Sequence, residues 1–164
     1  MDDRKVKCHI TGEEGTVNTF VKIGKFWYKS KEVYDEDKKK KEKHRELIDY
    51  ICRQFLGYGN GQPFPTYLEN KLKELRYYDD DVILETFIEC NKDIKYWLRN
   101  KKFNSDYNRV CYMFAIIRNK IPEVNKKYIR REKELAKENS IKEFTDPELT
   151  TGTPNKGKDI SEFL

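Results

Sequence analysis

From Lys25 to Leu56 the chain contains neither glycine nor proline, and Ser30 lies near the start of that stretch with a hydroxyl able to accept from a free helix N–H. A segment this long, stopped only at Gly57, predicts one long helix. Its composition changes part-way. Asp35 to Glu46 holds almost no apolar residue, whereas Leu47, Ile48, Tyr50, Ile51, Phe55 and Leu56 recur at helical spacing. The first half is therefore expected in solvent and the second in a core. Whatever else the chain forms has to supply the surface against which that second half packs.

Upstream the pattern is short β: Lys5 to Ile10, a turn at Thr11 to Gly15, then Val17 to Ile23 and Phe26 to Tyr28 around a tight Gly24-Lys25 hairpin. Downstream, the turn-rich Gly57 to Pro65 connects to helical patterns. Thr66 and Glu69 have capping-box spacing ahead of Leu68, Leu72 and Leu75. Asp79-Asp80-Asp81 opens a helix with Val82, Ile83, Phe87 and Cys90 turned inward, its acids placed for the helix dipole. Ile94 to Leu98 carries Trp97. Asn104 or Ser105 caps the most apolar helix, where Val110, Cys111, Phe114, Ala115, Ile117 and Ile121 precede Pro122 and form the centre of the core. Asn125 to Glu138 is helix-compatible and basic, and Thr145 to Lys158 has the composition of a flexible tail.

The expected fold is α+β and predominantly α: an N-terminal β-hairpin unit, a long helix, a small helical bundle and a flexible C-terminal tail, divided at 1–57, 58–138 and 139–164. A length of 164 residues excludes two large domains. An aromatic content of 13% within a hydrophobic fraction of only 37% argues for a real core beneath a charged surface. No apolar run approaches the roughly 20 residues of a membrane helix, and Met1 to Lys7 is charged with no apolar stretch behind it. The expectation is a protein of the bacterial cytoplasm without membrane contact. Cys8, Cys52, Cys90 and Cys111 are widely spaced and suit buried thiols rather than disulfides.

Phosphate-cradling, dinucleotide-binding, nucleophile-elbow and zinc-protease motifs are all missing, so no catalytic residue and no cofactor is assigned and the chain is read as a non-enzyme. The three consecutive aspartates at 79–81 point in different directions from a helix start, which favours capping over a metal site. The order of a Cys8-His9-Ile10-Thr11-Gly12 knuckle, a hairpin and a helix resembles a treble-clef zinc finger. Thr11 occupies the place of its second cysteine and Ser30 to Tyr34 supplies no ligand, so the resemblance implies a metal-free relic of that topology.

Two basic clusters are candidates for phosphate contact: Lys38, Lys39, Lys40 and Lys41 on the exposed half of the long helix, and Lys126, Lys127, Arg130, Arg131 and Lys133 near the C-terminus. Arg118 to Lys142 holds nine basic and four acidic residues, a net of +5, which equals the whole chain's 34 minus 29. Interleaved acids can pair with many of these cations. Phe26, Trp27, Tyr28, Tyr77 and Tyr78 could stack on bases, although such residues more often pack in or beside a core.

Pro65, Leu68, Leu72, Leu75, Tyr78, Ile83, Phe87, Tyr112, Ile116 and Asn119 have a spacing that resembles the DnaD-like region of Gram-positive bacterial and phage replication proteins, over about Gly61 to Ile121. That resemblance implies a helical bundle acting with DNA in replication. The C-terminal tip, with Ile160, Phe163 and Leu164 as apolar anchors among acids, is similar to the tips by which single-stranded-DNA-binding proteins recruit partners. Lysine, asparagine, tyrosine and isoleucine usage is similar to that of low-GC Gram-positive bacteria and their phages. Two functions fit: a phage or mobile-element accessory protein of DNA replication that binds DNA and recruits a phage or host protein, or a phage-encoded inhibitor of a host nucleic-acid enzyme such as a CRISPR nuclease, polymerase or clamp.

Overall fold

Ser30 begins the long helix as expected: its backbone is extended and its hydroxyl accepts from the Val33 N–H at 3.4 Å. In the computed structural model, which describes residues 4–144, helix α1 spans Lys31–Ile51 and continues without a break into a wider, π-helical turn over Cys52–Leu56. Gly57 ends it in the left-handed region, at a φ of 72°, where a Cβ would be strained. Leu47, Ile48, Ile51, Cys52 and Phe55 are buried, while Lys38 to Glu42 stay in solvent. The chain falls into two units, residues 1–127 and 128–164.

The N-terminal strands form two hairpins. Strand β1 (Lys5–Lys7) pairs antiparallel with β2 (Glu14–Thr16), and β3 (Val21–Ile23) with β4 (Phe26–Tyr28). The second hairpin is the one expected, with Ile23 opposite Phe26 and a positive φ at Gly24. The strand expected over Val17 to Ile23 is interrupted at its start. Thr19 accepts from the Thr16 N–H at 2.9 Å and donates back to the Thr16 carbonyl at 3.1 Å, so a side chain turns the backbone where alternation alone suggests extension. A bridge between Cys8 and Trp27 ties the hairpins together, with the His9 N–H donating to the Trp27 carbonyl at 2.8 Å.

Helices α2 (Thr66–Lys73), α3 (Asp80–Glu89), α4 (Asn91–Asn100) and α5 (Asp106–Phe144) follow. The capping box at Thr66 and Glu69 does not form. Pro65 occupies the N-cap with extended backbone, which places Thr66 inside the first turn, and the Glu69 carboxylate is engaged by His44. Ser105 caps α5 by accepting from the Asn108 N–H at 3.2 Å. Phe87 and Phe114, both fully buried, meet edge to face with ring centroids 5.6 Å apart, and Phe55 joins Phe87 at 5.9 Å. Leu68, Leu72, Leu75, Val82, Ile83 and Ile94 complete the surround.

Helix α5 corrects two expectations. Its inward stripe is Val110, Met113, Phe114, Ile117, Ile121 and Val124, all 0–1% exposed, whereas Cys111 is half-buried and Ala115 exposed. The two exceptions lie on the flank of a stripe that repeats every three to four residues. The helix also runs through Pro122 and past Glu138 to Phe144. Proline removes one backbone bond there, and the buried Ile121 and Val124 on either side hold the backbone in register. Pro122→Ala is expected to raise the unfolding free energy by about 1–3 kcal/mol, because alanine restores the bond and removes the ring's clash. Urea denaturation of both proteins checks the shift. Residues 145–164, which include Thr145 to Lys158 and the tip anchors, lie outside the described residues.

Candidate nucleic-acid interface

Both basic clusters are largely exposed. On α1, Lys38, Lys39, Lys40 and Lys41 face solvent, with Lys41 paired to Asp37 at 2.7 Å. In the first unit Lys126 is exposed, and Lys127 reaches Glu123 at 3.1 Å and Glu89 at 3.7 Å. Arg130, Arg131 and Lys133 are exposed in the second unit, where Arg131 lies 5.8 Å from the Tyr128 ring centre. Lys41 and Lys127 thus answer to separate carboxylates. The tip anchors Ile160, Phe163 and Leu164 are outside the described residues.

A third basic surface arises on α4, where sequence reasoning placed only Trp97. Ile94 is the one buried residue of that helix, so almost all of its side chains remain on the surface. Two open cavities flank it. The larger, about 460 Å³, lies between the α4–α5 loop and α5 and is lined by Lys101, Lys102, Phe103, Asn104, Asn108 and Tyr112 among others. The second, about 290 Å³, is lined by Asn91, Lys92, Lys95, Tyr96, Arg99 and Asn100. Among the described residues no carboxylate lines either one. Between Asn91 and Asn104 five basic residues face a single acid, Asp93, giving a local net of +4.

Aromatic rings join the two cavities. Tyr96 and Trp97 are 59% and 44% exposed and meet edge to face at 5.4 Å; Trp97 meets Tyr112 at 6.3 Å, and Tyr112 meets Phe103 at 5.6 Å. The Lys101 ammonium sits 4.2 Å above the centre of the Tyr112 ring. The signal in the sequence was the interleaving of Lys92, Lys95, Tyr96, Trp97, Arg99, Lys101 and Lys102. Of the aromatics singled out earlier, Tyr28 is buried, Phe26 stacks on His9 at 4.0 Å, and Tyr77 is 82% exposed beside Arg76.

A family model for SPbeta prophage protein YorH matches residues 8–162. The chain belongs to that family. Membership makes it phage-related, in agreement with its phage-like residue usage. No curated protein and no solved structure matches the chain. No helix among the described residues of this prophage-family protein is long and apolar enough to cross a membrane.

The knuckle, hairpin and helix occur in the order that resembles a treble clef. Cys8 is 2% exposed and accepts from the Lys29 backbone N–H at 3.4 Å. A side-chain hydrogen bond from Thr11 and backbone bonds from Thr11, Ile10 and Lys29 stabilise the thiolate and bring its pKa down to about 7. Thr11, in the position of a second cysteine, also places its hydroxyl 3.4 Å from Glu13 Oε2, to which it donates. His9, next to Cys8, stacks on Phe26, and His44 is held by two carboxylates.

His44 forms a latch that the sequence does not reveal, because the composition of Asp35 to Glu46 predicts a solvated helix face. Its Nδ1 lies 3.0 Å from Asp80 Oδ2 at the start of α3, and its Nε2 lies 3.1 Å from Glu69 Oε2 on α2. Lys43 pairs with Asp81 next to it. Two ionised carboxylates can only accept, so both ring nitrogens must donate and the imidazolium is the form that fits. Burial opposes that charge, and the bonds that the ring donates to Glu69 and Asp80 outweigh burial, raising the pKa above its ordinary value. A raised folded pKa gives stability that is fully present below the unfolded value of about 6.5 and is lost as pH rises through the folded one. The wild type is therefore expected to lose stability across that window, while His44→Gln lacks the step. Thermal melts in a pH series check it.

Proposed function

We propose that this prophage-family protein is an accessory protein of DNA replication that binds nucleic acid and recruits a protein partner. The observation that carries the reading is the α4 surface, where five cations and four neighbouring rings surround two cavities without a carboxylate. Such a surface attracts polyanions and offers π-faces to bases. Lys126, Lys127, Arg130, Arg131 and Lys133, and Lys38 to Lys41, are separate exposed clusters that add candidate phosphate contacts. The DnaD-like spacing over 61–121 supports replication as the setting, and the Ile160, Phe163 and Leu164 tip supports recruitment of a phage or host protein. Fluorescence anisotropy of labelled DNA across a salt series tests the reading. Binding that weakens steeply with salt supports it; no salt-sensitive binding at micromolar protein ends it.

A second reading, an inhibitor of a host nucleic-acid enzyme, is favoured by the exposed apolar residues Ile10, Val21 and Phe26 of the N-terminal hairpins. It requires a stoichiometric complex with such an enzyme and no DNA affinity of the protein's own. Size-exclusion chromatography of the purified pair separates the two readings.

A further inference from the structure

We propose that the α4 surface takes single-stranded nucleic acid, with unpaired bases stacking on the Tyr96, Trp97, Tyr112 and Phe103 rings and phosphates on the lysines at both ends. The inference rests on the nucleic-acid reading above and adds the class of strand. Phosphate contact alone does not select a single strand, because a duplex presents the same phosphate groups at higher charge density. Rings do. A duplex hides its base faces in the stack, whereas an unpaired base can leave it and lie on an aromatic side chain.

Three observations make this surface suited to that task. Its rings form a connected series with spacings of 5.4, 6.3 and 5.6 Å, and the steep angles between them, 82°, 67° and 57°, turn successive faces in different directions. Tyr96 and Trp97 are about half exposed despite being large and apolar, and they lie in a patch with no acid in its cavities. Asparagines 91, 100, 104 and 108 line the same cavities and supply amide groups that both donate and accept, as base edges require.

Lys101 now covers one of the rings, at 4.2 Å from Tyr112. A cation over an exposed ring contributes about 2–5-fold to an equilibrium, whereas a stacked base contributes about 5–150-fold. A base arriving at Tyr112 therefore displaces the ammonium, whose flexible stem lets it turn to the adjoining phosphate. The cavity volume of about 460 Å³ beside that ring falls within the range of roughly 300–1,000 Å³ typical of small-molecule sites. The occupant fits by charge as well as by shape, since every ionised side chain named in the lining is a cation.

The experiment compares full-length wild type and the Tyr96→Ala/Trp97→Ala variant by anisotropy, with an oligothymidylate, a duplex of the same length and polyglutamate as competitor. Thermal melts confirm that the variant folds, and Trp97→Phe keeps a π-face as a second variant. The expected result is tighter binding of the oligothymidylate than of the duplex, a loss of roughly 5–150-fold per stacking ring removed on the single strand in the double variant, and near-wild-type binding by Trp97→Phe. In the unaltered protein, photocrosslinking with 5-iododeoxyuridine is expected to mark residue 96, 97, 103 or 112. Equal binding of both DNAs, unchanged in the double variant, overturns stacking and leaves the nucleic-acid reading standing. Displacement by polyglutamate at equal charge overturns it in favour of an acidic protein chain. Absence of DNA binding by the wild type removes both readings together.

Discussion

Phe87→Ala is expected to lower the unfolding free energy by about 3–5 kcal/mol, the largest effect on stability of any single truncation considered for this chain. Phe87 is fully buried and links the two parts of the core that come from distant stretches of sequence. Its ring touches Phe55, in the π-helical turn after α1, and Phe114, in the first third of α5. Removing it forfeits transfer free energy and leaves a cavity whose walls are themselves rings, which relax poorly into the space. With domains of this size stable by only about 5–15 kcal/mol, the variant should unfold at much lower urea concentration with an unchanged slope. A reduced slope would show that Phe55 and Phe114 no longer belong to one cooperative unit. Ile88→Ala, one position along on the exposed side of α3, is the control and should stay within about 0.5 kcal/mol.

Those core contacts were readable in advance because they rest on period. Leu47, Ile48 and Ile51 on α1, Leu68 and Leu72 on α2, and Val82, Ile83 and Phe87 on α3 all repeat at three to four residues, and all are buried. Period fails where a single side chain redirects the backbone. Thr19 turns the chain inside an apparent strand, and Pro65 takes an N-cap that Thr66 was expected to fill. Pro122 shows the opposite failure: a local breaker is overridden because the residues on both sides of it are buried.

The latch at His44 was illegible, and the α4 surface legible only as interleaved cations and rings, for a different reason. Each depends on residues far apart in the chain: 25 and 36 positions separate His44 from Glu69 and Asp80. The ring series joins Trp97 on one helix to Tyr112 on the next. A sequence window shows a charged helix face around His44 and, around Trp97, interleaved cations and rings without Tyr112. Only the packing of α1 against α2 and α3, and of α4 beside α5, turns them into a site.

The salt dependence of DNA binding should separate the two basic regions by magnitude. Replacing Lys92, Lys95, Arg99, Lys101 and Lys102 with alanine removes at most five phosphate contacts, which lowers the slope of log affinity against log salt by about 3.5 on a single strand and about 4.5 on a duplex. Binding at 50 mM salt should then fall far more than at 200 mM, with the wild type alone losing roughly 10²–10³-fold between those concentrations through these contacts. Replacing Lys126, Lys127, Arg130 and Arg131 removes at most four. Lys127 already faces Glu123 and Glu89, and its loss leaves those acids less compensated, which adds repulsion without removing a free contact. The partner of Lys95 is the neutral Gln54, at 2.9 Å, so its charge remains available to a phosphate. The α4 variant should therefore show the larger fall in slope. If the C-terminal variant loses more, the nucleic acid is held mainly by α5, and the α4 rings and cavities would then need a ligand other than a polyanion.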